Sequence, residues 1–318
     1  MQVPVVSADE LKTLLPYKQL IEALRQAFVE KQINTPDRLH YQYPSNNGLE
    51  NTLLIMPSWK ADAHLGIKIV TVTPENHLKH MPTVQALMLL FDVGTGSPLM
   101  IMDGSELTIR RTAAASALSS GLLSRENSRC LLIVGTGKVA TQLAQAHSEV
   151  RKIKRILVWG RSKNKAQRLA AQLKRSGYSA QSVDSLQEAT EKADIISCAT
   201  LSQDPLIMGR WLKPGQHLDL IGSFKPTMRE ADLEAVLRSR LFVDTKSAQV
   251  EAGELKIALD RGDLPESHII GDLFYMCNNP KGLRTDPEQI TCFKSVGFAL
   301  EDLVAATLVF NNFHYNEE

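Results

Sequence analysis

The chain is poor in the features that mark a membrane, nucleic-acid or secreted protein. Only four of its 318 residues are cysteine (Cys130, Cys198, Cys277 and Cys292), and no two are spaced as CxxC. That pattern supplies neither a disulfide framework nor a paired-thiolate metal site, and the four are expected as small core residues in a reducing compartment. Neither sign of charge is in excess: 36 Lys and Arg face 35 Asp and Glu. With no basic run beyond a few residues, neither nucleic acid nor an anionic membrane is an expected partner. No apolar run is long enough to span a bilayer, and Met1-Gln2-Val3-Pro4 lacks the charged and apolar regions of a secretory signal, so a cytoplasmic protein is expected. His77 and His80 form the only close histidine pair, and without acids or cysteines around them they read as a surface loop rather than a metal site.

What is present is ordinary in amount and specific in order. A chain that is 43% hydrophobic and 22% charged is long enough here for two domains with real cores. Residues 130–162 organise it, reading as strand, glycine-rich turn, helix and strand. The apolar run Leu131-Leu132-Ile133-Val134 ends in Gly135-Thr136-Gly137-Lys138-Val139-Ala140. Glycines there allow a tight turn and let backbone N–H groups approach a pyrophosphate at a helix N-terminus, while Ala140 keeps helix and strand close. Gly135, Thr136, Gly137 and Val139 are therefore candidate dinucleotide-binding residues. The second strand ends in Gly160-Arg161-Ser162-Lys163-Asn164-Lys165, where no acid is offered to a ribose 2′-OH. Arg161 and Ser162 suit a 2′-phosphate, so NADPH is expected ahead of NADH; the alternative is that these cations are only the solvated start of a helix.

The first hundred residues change period. A capping box at Ser7 and Glu10 starts one helix, Pro16 starts another, and 52–56, 65–72, 83–92 and 98–103 read as strands of a largely antiparallel sheet. Lys68 lies inside an apolar strand, where it either lines a cleft or reaches water from an edge. Arg38 sits in a polar loop. Arg110 and Arg111 precede a small-residue helix beginning at Thr112, and two cations at a helix start call for an anionic partner. Beyond residue 129, expected helices at 163–175, 186–192 and 229–238 alternate with strands, which predicts a mostly parallel, doubly wound sheet with ligands at the strand carboxyl ends, where Thr200 and Ser223 stand.

Several motifs together resemble the ornithine cyclodeaminase/mu-crystallin family: Gly66-Ile67-Lys68, Arg110-Arg111-Thr112-Ala113-Ala114, Gly135-Thr136-Gly137, Trp159-Gly160-Arg161-Ser162, Glu251-Ala252-Gly253-Glu254-Leu255 and Phe293-Lys294-Ser295-Val296-Gly297. The resemblance implies an α/β homodimer with a Rossmann-type domain at 114–292 and an α+β substrate-binding and dimerisation domain built from 1–113 and 293–318. It implies that Arg38, Lys68 and Arg111 bind a substrate carboxylate beside the reacting carbon, that Thr83 joins them, and that Thr112 joins the cofactor-binding set. Lys68 and Arg111 are the catalytic candidates.

One departure narrows the activity. Cyclodeaminases of this family carry an Asp in a GxD pattern that handles the substrate amine; here Gly222-Ser223-Phe224 puts a phenyl ring there. A free amine then lacks its ionic partner, whereas an apolar ring substrate is suited. The pattern, with Pro226 and Glu230, resembles the pyrroline-2-carboxylate reductases. The expectation is NADPH-dependent reduction of a cyclic 2-imino acid, Δ1-pyrroline-2-carboxylate to L-proline or its six-membered homologue to L-pipecolate. Alternatives are an ornithine cyclodeaminase, an alanine or N-alkyl amino acid dehydrogenase, or an NADPH-dependent binding protein of mu-crystallin type.

Overall fold

The structure, a computed structural model, describes residues 3–44 and 50–315, apart from the side chain of His77. The expectation for the histidine pair therefore lies, at His77, outside the described residues, and His80 is exposed. Two compact units are present, Met1–Arg111 with Phe298–Glu318, and Thr112–Gly297.

The first unit contributes β1 (Val5–Val6), α1 (Ala8–Leu14), α2 (Tyr17–Glu30), β2 (Ile33–Asn34), β3 (Leu39–Pro44), β4 (Glu50–Lys60), β5 (His64–Val72), β6 (Val84–Asp92) and β7 (Pro98–Asp103). Helix α3 (Gly104–Leu123) runs on into the residues of the second. There follow β8 (Cys130–Val134), α4 (Lys138–Val150), β9 (Arg155–Trp159), α5 (Lys163–Arg175), β10 (Ala180–Ser182), α6 (Leu186–Lys192), β11 (Ile195–Cys198) and β12 (His217–Leu220). Then come α7 (Leu233–Leu237), β13 (Ser239–Val243), α8 (Ala248–Glu251), α9 (Gly253–Arg261), β14 (Ile269–Gly271), α10 (Leu273–Asn278) and β15 (Ile290–Lys294). Helix α11 (Ala299–Tyr315) belongs to the first unit.

The first unit is a sheet in the order β1-β7-β6-β5-β4-β2, with β3 also paired to β4, antiparallel except where β1 joins β7. The expected capping box holds α1: the Ser7 hydroxyl accepts from Glu10 N–H, and Glu10 accepts from Ser7 N–H. On β5 the two-residue period buries Gly66, Lys68, Val70 and Val72 on the face that α11 covers and leaves the odd residues half-buried. Lys68 is thus in the core. Its ladder partners are Met56 and Met88, both buried, so neither residue directly opposite it is polar.

The second unit is an all-parallel sheet in the order β10-β9-β8-β11-β12-β15-β13-β14. This is the doubly wound, Rossmann-type sheet implied by the alternating elements. Strand order reverses at β8, whose chain-order neighbours diverge, and the switch point lies between the ends of β8 and β11. Ser116 of α3 and Ser197 of β11 both donate to the buried Asp219 of β12, which ties that half of the helix to the sheet.

Two expectations need correction. Residues 293–297 do not join the first unit: β15 pairs with both β12 and β13, and all five of its residues are buried, as a central parallel strand requires. Only the last helix returns. The helix expected at 229–238 shrinks to α7, because Asp232 caps it by accepting from Ala235 N–H while Glu230 is drawn into hydrogen bonds with the strand-end loops.

Candidate active site

In the first unit four charged side chains meet in the core. Lys68, from the middle of β5, donates through Nζ to Asp302 Oδ1 at 2.8 Å and lies 2.7 Å from Oδ2. Arg111 donates through Nε to the same Oδ1 at 2.9 Å and through Nη1 to Glu301 Oε2 at 2.8 Å. Lys68 is 2% exposed and Arg111 5%. Burial pulls the Lys68 pKa down from 10.5 to about 8; the Asp302 carboxylate opposes the fall, and the positive charges of Arg111 and Arg38 add to it. An ordinary lysine is too weak an acid to give up a proton readily near neutrality. This one is not.

Arg110 and Arg111 do not stand at a helix start. Helix α3 begins at Gly104, with Asp103 accepting from Glu106 N–H, so both arginines lie within the helix and point about 100° apart. They have different work. Arg110 donates twice to the carbonyl of Leu15, closing the end of α1, and stacks 4.5 Å over the Tyr17 ring. Arg38, between β2 and β3, is half-buried, and its charge is felt at Lys68. Thr83, just ahead of β6, is half-buried and its carbonyl accepts from Thr73 N–H.

The second unit carries the glycine cradle. Gly135 has φ of +122°, a conformation L side chains rarely adopt, and a Cβ there would meet the carbonyl oxygen of Ala199 at 2.6 Å. Gly137 is the N-cap of α4, with no side-chain cap, no acid in the first turn, and open space where a Cβ would stand. Gly160 gives room to Thr136, and Val139 is half-buried on the first turn of α4. Arg161, Ser162, Lys163 and Lys165 are exposed ahead of and on the first turn of α5, which has no acid; the Ser162 hydroxyl accepts from Lys165 N–H, and Lys163 pairs with Asp184. Uncapped N–H groups, a backbone open to close approach and a basic turn at the end of β9 fit a dinucleotide.

At the ends of β11 and β12 lies a buried network that sequence reasoning missed. Glu230 accepts from the Thr200 N–H and hydroxyl at 2.7 and 2.8 Å, and from the N–H groups of Gly222 and Ser223 at 2.8 and 3.3 Å. One carboxylate holds both loops. Burial raises its pKa to about 7, against the pull of Lys294 and with the push of Glu254. Ser223 is fully buried, its hydroxyl spent on Glu254 and Lys294, so it presents no free side chain to a ligand. Thr200 and Thr112 are half-buried, and Phe224 packs against the core of this unit. The signals for the missed residues were present: Lys294 is a lysine in an apolar strand, as Lys68 is, and Glu301-Asp302 are adjacent acids opening an otherwise apolar helix.

Known proteins resemble this chain over nearly its whole length. An uncharacterized protein of Schizosaccharomyces pombe is 43% identical over 96% of this chain and 96% of its own length. A Delta(1)-pyrroline-2-carboxylate reductase of Colwellia psychrerythraea is 39% identical over 95% of this chain and 96% of its own. Among solved structures, the Thermococcus litoralis Delta(1)-pyrroline-2-carboxylate reductase in complex with NADH and L-proline superposes with a TM-score of 0.92 at 33% identity, covering 99% of this chain and 98% of that one. Residues 2–317 match the model of a single family, and the chain belongs to it: the ornithine cyclodeaminase/mu-crystallin family.

Proposed function

We propose that this chain reduces the C=N bond of a cyclic 2-imino acid, converting Δ1-pyrroline-2-carboxylate to L-proline and accepting the six-membered homologue, with NADPH preferred over NADH. The observation that carries the reading is the buried Lys68, Asp302 and Arg111 cluster, which places an unusually acidic ammonium beside a guanidinium able to grip a carboxylate. Relatives named for this reaction, one of them solved with NADH and L-proline, support it.

Arg111, with Arg38, binds the carboxylate of the substrate, and Thr83 is a further contact. Lys68 gives a proton to the ring nitrogen, which makes the neighbouring carbon electrophilic. A bound reduced nicotinamide dinucleotide supplies the hydride. New N–H and C–H bonds replace the π bond, and water returns the proton to Lys68. The Gly222-Ser223-Phe224 pattern carries no carboxylate for a free amine, which argues against ornithine. Gly135, Thr136, Gly137, Val139 and Thr112 hold the dinucleotide, with Arg161 and Ser162 on its 2′-phosphate; Thr200 and Ser223 act through the loops they fix.

The chain works as a homodimer. Leu39, Ile55, Ile69 and Leu87 are register partners across β3, β4, β5 and β6 on the sheet face opposite the one that α11 covers, and Leu39 and Leu87 are 48% and 52% exposed. An apolar row of this kind is suited to a second copy. The function is tested by following reduced-nicotinamide absorbance with Δ1-pyrroline-2-carboxylate and either NADPH or NADH, beside ornithine with NAD. Fast NADPH oxidation with silence on ornithine is expected; silence on the imine would refute the reading.

A further inference from the structure

Asp302 takes no part in the proton or carboxylate chemistry set out above, yet it touches both residues that perform it. Lys68 comes from the middle of β5, Arg111 from α3, and Asp302 from the first turn of α11, so three elements distant in sequence converge on one carboxylate. Its Oδ1 receives Lys68 Nζ at 2.8 Å and Arg111 Nε at 2.9 Å. Glu301, the preceding residue, takes Arg111 Nη1, so the guanidinium is gripped along two edges and its plane is fixed. An ammonium and a guanidinium this close repel each other. The shared carboxylate, itself favoured at the positive end of a long helix, is what lets them lie together in a dry core.

We propose that Asp302 is the positioning residue of the imine reduction, holding Lys68 and Arg111 side by side on one carboxylate and keeping Lys68 protonated for transfer to the ring nitrogen. The assignment rests on the function proposed above. The groups facing the Lys68 ammonium are Asp302 and, behind it, Glu301 from α11; Arg111 from α3; and Arg38 from the segment ahead of β3. Directly opposite Lys68 on the flanking strands β4 and β6 stand Met56 and Met88, neither of them titratable. Burial and the two arginines favour a neutral amine, and Asp302 opposes them. The sign follows. Lys68 must carry its proton to act, so activity falls as pH rises through its pKa, and loss of the Asp302 charge moves that fall to lower pH.

The test uses the full chain carrying 13C-labelled lysine, with the Lys68 resonance identified by its absence in Lys68→Arg. Its titration midpoint is followed in the wild type, Asp302→Asn and Asp302→Glu, alongside the pH profile of kcat/KM for Δ1-pyrroline-2-carboxylate. The protonation of the substrate itself is common to all three and cancels in the comparison. In Asp302→Asn the Lys68 midpoint and the basic limb of kcat/KM both drop by about one pH unit or more, and kcat near neutrality falls about tenfold. Asp302→Glu keeps the midpoint near the wild-type value with a kcat between the other two, because the charge is retained and the carboxylate displaced. A folded Asp302→Asn protein with the wild-type midpoint overturns the proposal. If that variant does not fold, Asp302→Glu decides: reduced kcat at an unchanged midpoint supports it, and wild-type kcat overturns it. A midpoint that moves in a protein with no turnover of the imine upholds the role of Asp302 toward Lys68 and refutes the reductase reading instead.

Discussion

Two lysines are buried in strands of this protein, and their surroundings give them opposite characters. Lys68, in the first unit, has a carboxylate that it shares with an arginine, and apolar neighbours on either side along the sheet. Lys294, in the second, donates to the carbonyls of Leu220 and Ser223 and to the Ser223 hydroxyl, with the Glu254 carboxylate 3.8 Å away. The ammonium of Lys294 is saturated by fixed acceptors and serves as an anchor for the loop after β12. That of Lys68 is held among competing charges, with its pKa lowered to about 8. A lysine in an apolar strand is therefore a signal of something costly, and its partners decide whether the cost goes to stability or to chemistry.

The comparison breaks first, if it breaks, at Lys68→Met. Loss of the proton donor lowers kcat/KM for the imine by about 10²- to 10⁴-fold. Asp302 keeps Arg111 as a partner, so the thermal midpoint moves by only a few degrees. Lys294→Met is expected to do the reverse: with Glu254 and Glu230 left in a dry core, stability drops by about 3–5 kcal/mol in denaturant titration, while the protein that remains folded still turns over substrate. Equal effects of the two substitutions on rate and on stability would erase the distinction.

Smaller effects sharpen the same contrast between the units. Arg161→Ala weakens NADPH binding by about 1.5–3 kcal/mol, measured against NADH in parallel titrations, because a charge-assisted contact to the 2′-phosphate is lost. The Lys68 cluster, and with it KM for the imine, is left untouched. For Glu230, burial raises the folded pKa from the ordinary 4.5 to about 7. The folded state then binds the proton more tightly, so this group's stabilising contribution is full below pH 4.5 and is lost as pH rises through about 7. Glu230→Gln removes that slope, and its thermal midpoint changes less between those pH values than that of the wild type.

Local features were legible in the sequence. The glycine turn, the basic stretch after β9 and the helices α5 and α6 are written in periods of a few residues, and they stand where the pattern placed them. Lys68 could be singled out because its apolar strand made it anomalous. Its partner could not: Asp302 is 234 positions away, and no local pattern connects a β-strand to a helix across that distance. Arg110 and Arg111 were joined as one anion-binding pair because the helix start was placed too late; with the start at Gly104 their faces separate and only Arg111 enters the cluster. Ser223 was expected at the crevice from its place at a strand end, but the burial of its hydroxyl depends on Glu254 and Lys294, which arrive from elsewhere in the chain. The missed strand β15 has a similar cause. Its motif was recognised, and its place in the middle of the second sheet follows only from long-range pairing.

The most direct test of the account is the product formed from Δ1-pyrroline-2-carboxylate and NADPH, identified by chiral chromatography while NADPH loss is recorded, with wild type and Lys68→Met run together. One L-proline for each NADPH consumed, with formation collapsing in the folded Lys68→Met protein, is the predicted result. No L-proline from the wild type, or equal rates from the two proteins, would contradict it.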